Sequence, residues 1–236
     1  MPFFSYKTLT TNSLFNLGAV CSRLFKISFI VGSKTAFFSA SHCIAPLAGW
    51  YTGFQGCLIA FFVKICQTIA TTTTYTTPLM VSAYHIPTLC ASLYFATIVQ
   101  SSDVPRWRRL LMAAIPLCCF FLFIFHPVGA QARSYTWLWC IPLLSALIPH
   151  TIFFIHALAS TCIAHAVGSI IWIYLIGPAD SAAWLALIPV AAVERLFFAS
   201  GMTLIAYATN KFAGYNWQTT WLTPKLGLNR NKQILD

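Results

Sequence analysis

Acidic charge is scarce in this sequence: 236 residues hold 4 Asp and Glu, and charged residues of both signs make up 8% of the chain. A soluble domain carries ~25% charged residues, whereas here 58% of residues are hydrophobic and the mean hydropathy is +0.75. A water-soluble globule is excluded. Catalytic signatures are missing too, since no HExxH, GxSxG, paired aspartates within an apolar run or glycine-rich phosphate loop occurs. ATP binding by this chain, enzymatic activity and a resident cofactor are therefore not expected. No CxxC pair is present, which removes the usual zinc and redox spacing. Lys7, Arg23, Lys26 and Lys34 interrupt the N-terminal region, so a cleaved signal peptide with a clean apolar core is not expected.

What is abundant is apolar sequence in long continuous runs. These favour one all-α, polytopic membrane bundle over a β-barrel, whose strands alternate and are short. The 14 Lys and Arg are scattered between apolar runs, as at the positive flanks of membrane helices, and nucleic acid is not an expected partner. Of the nine cysteines, Cys57, Cys66, Cys90, Cys118, Cys119, Cys140 and Cys162 lie inside apolar segments and are expected to be free thiols acting as small hydrophobes.

Hydropathy places spans at 54–70, 79–99, 109–126, 137–154, 157–177 and 183–209. The segment 14–30 is interrupted by Arg23 and Lys26 and reads as an interfacial amphipathic helix or a poor crossing. The stretch 36–49, with His42 inside it and Pro46 to kink it, reads as re-entrant or a short crossing. About six transmembrane helices (six to eight) follow. Positive charge in the loops puts both termini in the cytoplasm, with only Arg133 on the opposite side. Three regions result: a cytoplasmic or interfacial N-terminal segment over 1–35, a transmembrane domain over 36–209 and a cytoplasmic basic tail over 210–236. The expected location is a cell membrane, with the bacterial inner membrane as the prior. No internal repeat stands out.

The stretch Trp184 to Ala208 organises the rest, because it is long enough to cross ~30 Å of hydrocarbon and carries Glu194 and Arg195 near its middle. Ionisable groups at membrane depth are costly and usually face a bundle interior or an aqueous cavity. Adjacent residues lie about 100° apart on a helix, so the two side chains are expected to need separate partners. Glu194 is either a ligand contact or half of a structural interhelical bridge. On the preceding span Thr161, His165 and Ser169 form one polar stripe, and Ser160, Ala164 and Gly168 form a small-residue stripe beside it. His165 is expected to contact a ligand, to pair with Glu194 or to meet a backbone carbonyl. A metal shared by Cys162 and His165 lacks a second ligand pair. His85, Thr88 and Ser92 share one face of the 79–99 helix, which would line a cavity or else bond back to its own backbone. His126, His150 and His156 sit near span ends and read as interfacial. Trp137, Trp139, Trp172, Trp184, Trp217 and Trp221 read mainly as an aromatic belt.

The run Phe37-Phe-Ser-Ala-Ser-His-Cys-Ile-Ala-Pro-Leu-Ala-Gly49, followed by Gly53 and Gly56, resembles the early region of substrate-binding S components of energy-coupling-factor transporters. The later portions, His156 to Tyr174 and Pro189 to Ala208, are similar to the last helices of such proteins. The resemblance implies a compact six-helix fold that binds a vitamin or metal ion near the extracytoplasmic face. It also implies ATPase and transmembrane coupling subunits as partners. Residues 37–49, with His42, would help to close the site, and Glu194 with His165 would supply polar contacts. The small-residue docking motif of the family's first helix is reduced here to Gly18 and Ser22, next to Arg23. The expected function is binding of a small solute (vitamin, nucleobase or metal) as a transporter component in a lipid bilayer. The alternative is a structural or assembly protein in which Glu194, Arg195 and His165 lock helix packing.

Overall fold

The computed structural model describes Gly18 and residues 26–29, 36–39, 41–71, 78–98, 106–145, 152–176 and 180–212. Helices dominate: α1 (Ser41–Ile44), α2 (Leu47–Thr71), α3 (Pro78–Ile98), α4 (Arg106–Phe125), α5 (Pro127–Gln131), a 3-10 helix over Arg133–Trp139, α6 (Cys140–Ser145), α7 (Phe153–Ile171, continued by a π turn to Ile176) and α8 (Ser181–Phe212). A two-stranded antiparallel ribbon precedes them, with β1 (Lys26–Phe29) paired to β2 (Ala36–Ser39). The described chain is otherwise helical, as expected, and the ribbon is a local departure from that. Lys-Ile-Ser-Phe alternates polar and apolar residues at the period of a strand, and 26–29 is one. Of 36–49, Ala36–Ser39 is a strand, Ser41–Ile44 is α1 and Leu47 opens α2, while the rest of 14–30 apart from Gly18 lies outside the described residues.

Among the described residues, three helices are long and apolar enough to cross a membrane: Gly53–Ala70, Phe153–Leu175 and Ser181–Lys211. Leu110–Phe125 is a shorter apolar helix. Bulky apolar side chains such as Phe62, Leu110, Val193 and Leu204 point outward, as they do on a surface solvated by lipid. The expected span 137–154 is not one helix, because the chain runs through a 3-10 helix to Trp139 and restarts as α6 at Cys140. Pro142 suits the restart: it lacks an N–H and sits in the first turn of α6, where that donor would have no intrahelical partner.

Helix α7 is the axis of the bundle and packs against α3, α4, α6 and α8, while α2 packs chiefly on α3. The α2–α3 crossing depends on Gly49, where a Cβ would lie 1.8 Å from the Ser92 carbonyl oxygen. Ser92 Oγ also donates to the Ala45 carbonyl at 2.8 Å and to that of Pro46 at 3.3 Å, tying the α1–α2 turn to α3. Gly53 then bends α2 with φ 67°, a left-handed conformation that glycine adopts without steric cost. The Leu-Ala-Gly run and the glycine after it thus have a packing reason.

Two apolar clusters flank α7. One gathers Leu47, Trp50, Tyr94, Phe95, Ile163, Phe198 and Met202, and the other gathers Phe123, Tyr135, Leu138, Trp139, Ile173 and Trp184. Trp139 and Trp184 are buried, so they belong to the core and not to an aromatic belt. Trp137 is exposed and Trp172 half-buried, and Trp217 and Trp221 lie outside the described residues.

Candidate functional site

One group of polar side chains meets on the α7–α8 seam. Asp180 caps α8 by accepting from the Ala183 N–H at 2.8 Å, satisfying one of the orphan donors of the first turn. From that start α8 carries Glu194 and Arg195 to the level of Thr161 on α7. Arg195 is buried, and its guanidinium donates to the Thr161 carbonyl at 3.3 Å, while Thr161 Oγ bonds the Leu158 carbonyl at 2.8 Å. The same guanidinium reaches Glu194 Oε2 at 3.3 Å. The expectation of separate partners is corrected to this extent: the arginine stem is long enough to span the 100° between neighbours, so the two also pair with each other. The guanidinium carbon stands 5.2 Å over the Phe198 ring, and that ring lies 5.7 Å from His42 on α1. Glu194, Arg195, Thr161, Phe198 and His42 therefore form one continuous chain of contacts across α8, α7 and α1.

A second group lies further along α7. Ser169 Oγ donates to the His165 carbonyl at 2.8 Å and is hydrogen-bonded to the Tyr135 hydroxyl at 3.2 Å. The Tyr135 ring is tilted against His165 at 5.2 Å. His165 is half-buried as a residue, yet its Nε2 is sealed from solvent and has no hydrogen-bond partner among the described residues. Burial pushes the Tyr135 phenol up to about 12, against the opposing effects of the Ser169 hydrogen bond and the nearby Arg195 charge. Thr161 of the stripe is thus linked to Glu194 through Arg195, while His165 and Ser169 meet Tyr135; the stripe's two hydroxyls bond back to their own helix as Ser and Thr often do in helix interiors.

His85 belongs to a different seam. Its Nε2 pairs with Thr68 Oγ1 on α2 at 2.8 Å, so the His85 face turns towards α2. His156, expected at an interface, is fully buried and joins α3, α6 and α7: Tyr94 Oη lies 3.2 Å from His156 Nδ1 and 2.6 Å from Ser145 Oγ, which donates to the Pro142 carbonyl at 2.7 Å. His126 is half-buried, and His150 lies outside the described residues. No cluster of three His, Cys, Asp or Glu with metal-holding geometry occurs among the described residues. The cysteines in them are free thiols.

Sequence reasoning missed Tyr135 beside His165 and Ser169, and the inward turn of Trp139 and Trp184. Hydropathy has no means of telling an indole in the bilayer interface from one turned inward, and Tyr135 lies in a segment whose 3-10 geometry leaves no periodic signal. Comparison with protein families, with curated proteins and with solved structures finds no match to this chain.

Proposed function

We propose that this chain is a multi-pass protein of a cell membrane, with about six crossings and both termini cytoplasmic, that binds a small solute inside its bundle as a component of a transport system. The observation that carries this reading is the sealed, unpartnered Nε2 of His165, placed beside the Tyr135 and Ser169 hydroxyls and one helical turn from the Thr161–Arg195–Glu194 contacts. A buried polar atom left without a partner costs ~1–3 kcal/mol, and such atoms in native proteins call for an explanation such as a ligand or functional role. The likeness of residues 37–49 to S components supports the same reading, as does the contact of His42 with Phe198, which leads from that segment to Arg195. On this reading movement is supplied by ATPase and coupling subunits that dock on the chain.

The test is thermal unfolding of the purified protein in detergent, wild type beside Glu194→Gln, scanned against vitamins, nucleobases, amino acids and divalent metals. A solute that binds the folded state at 100 times its Kd stabilises by ~2.7 kcal/mol. One that raises the melting temperature of the wild type alone supports the reading. A scan in which nothing shifts either protein, with the mutant itself strongly destabilised, sinks it in favour of a structural protein. That second reading is favoured by one observation, the pairing of Glu194 with a basic group at 3.3 Å.

A further inference from the structure

The Tyr135 ring occupies an aromatic enclosure. Its neighbours are Trp184 at 4.9 Å, His165 at 5.2 Å, Phe123 at 5.6 Å and Trp139 at 6.2 Å between ring centroids. They come from α8, α7, α4 and the 3-10 helix, so four elements converge on one ring. Among the described residues, the Tyr135 hydroxyl is hydrogen-bonded to Ser169. Three nitrogens of the surrounding rings have no hydrogen-bond partner among the described residues: Trp139 Nε1, Trp184 Nε1 and His165 Nε2. Both indoles are more than nine-tenths buried, with exposures of 1% and 4%. Packing alone does not ask for them, because phenylalanine fills an apolar core without a polar atom to satisfy.

The chemistry of the enclosure defines an occupant. Indole N–H groups only donate, so the occupant brings acceptors, and the Nε2 of a neutral histidine takes either role. Aromatic walls favour a flat ring, stacked or edge-on. Tyr135, Trp139 and Trp184 are buried there, and an unpaired charge in such a place is costly, which disfavours a charged occupant. A metal ion lacks a ligand set, as noted above.

We infer that this enclosure is the ring site for the solute, that the solute is an uncharged planar nitrogen heterocycle with acceptor atoms on its edge, and that Tyr135 fills the place when the solute is absent. The inference rests on the solute-binding reading above and adds the class of solute and the residues that meet it. Replacement of Tyr135 is helped by its setting, since 3-10 hydrogen bonds are poorer than those of an α-helix. At the surface, Ser181 Oγ donates to Gln131 Oε1 at 3.2 Å and links the segment before that helix to α8.

The experiment measures thermal stability and tryptophan emission of the full chain in detergent with uracil, adenine and nicotinamide as probes, and with benzene, tetramethylammonium and zinc as contrasts. At least one heterocycle is expected to stabilise the wild type and change its emission, with none of the contrasts doing so. Trp139→Phe and Trp184→Phe keep the aromatic walls and remove one donor each, so each is expected to weaken that heterocycle by about tenfold, the worth of one hydrogen bond. Tyr135→Ala is expected to bind it more tightly, having no ring to displace. Stabilisation by benzene as strong as by any heterocycle, or by none of the three heterocycles, overturns the inference through the wild type alone. A solute from the broad scan whose effect is lost in Glu194→Gln but unchanged in both Trp→Phe variants overturns the inference and leaves the solute-binding reading standing. No response to any compound removes both.

Discussion

At the scale of single residues, the buried charge on α8 dominates. Arg195 holds the Thr161 carbonyl, Glu194 and the face of Phe198 at once, so its removal leaves several groups without their partner. Arg195→Met is expected to cost about 3–5 kcal/mol, the range for breaking a buried pair from one side. Glu194→Gln, which keeps an acceptor oxygen, is expected to cost about 1 kcal/mol. Urea or thermal unfolding in detergent separates the two, and equal losses would mean that the guanidinium does not organise the seam. Buried acids whose neutral form the fold favours make stability fall in alkali, Cys43 and Tyr135 among them. Burial pushes the Cys43 thiol from its ordinary 9.0 up to about 11, and the Tyr135 phenol from 10.0 up to about 12. Folding favours the protonated form of each, so their contribution is complete below the unfolded values and is lost as pH rises through the folded ones. The melting temperature is expected to hold to about pH 9 and fall above it, with Tyr135→Phe losing less stability than the wild type between about pH 10 and pH 12.

At the scale of elements, close helix crossings are where the sequence is least tolerant. Gly49→Ala places a methyl group 1.8 Å from the Ser92 carbonyl oxygen, a backbone atom, whereas Gly168→Ala meets only the Pro87 Cγ at 3.7 Å. The first is expected to destabilise by several kcal/mol or prevent folding, and the second to change stability by roughly 1 kcal/mol or less. Expression level and melting temperature of the two variants check the contrast, and a tolerated Gly49→Ala would mean that α2 and α3 do not cross there. The proline content is read differently for each helix. Pro87, Pro116 and Pro189 lie inside α3, α4 and α8, as membrane helices tolerate where neighbouring groups can re-satisfy the freed carbonyls. Pro142 instead marks the restart of the chain as α6, and a hydropathy window averages over that break.

At the scale of the molecule, α8 is long enough to carry Ser181 and Lys211 to opposite faces of a bilayer. In a cysteine-free background, Ser181→Cys and Lys211→Cys are expected to label from opposite sides with a membrane-impermeant maleimide, Lys211→Cys from the cytoplasm. Labelling from one side would remove α8 as a crossing. The same experiment orients the aromatic enclosure, because Ser181 and Trp184 share the first turn of α8 and the enclosure would face the extracytoplasmic side.

Composition and hydropathy by themselves determined that the chain is helical, apolar and suited to a membrane, because those properties depend on local sequence and on the solvent it must meet. They also pointed to Glu194, Arg195 and the Thr161–His165–Ser169 stripe, since a polar residue in an apolar run stands out without any knowledge of its neighbours. The tertiary structure alone decided which groups meet: Arg195 with the Thr161 carbonyl, Ser92 with the α1–α2 turn, and His85 with α2 and not with the α7–α8 seam. It also decided that Trp139 and Trp184 turn inward around Tyr135. An indole suits a lipid interface and a protein core equally well by its own chemistry, and only the crossing of four distant segments settles which of the two it meets.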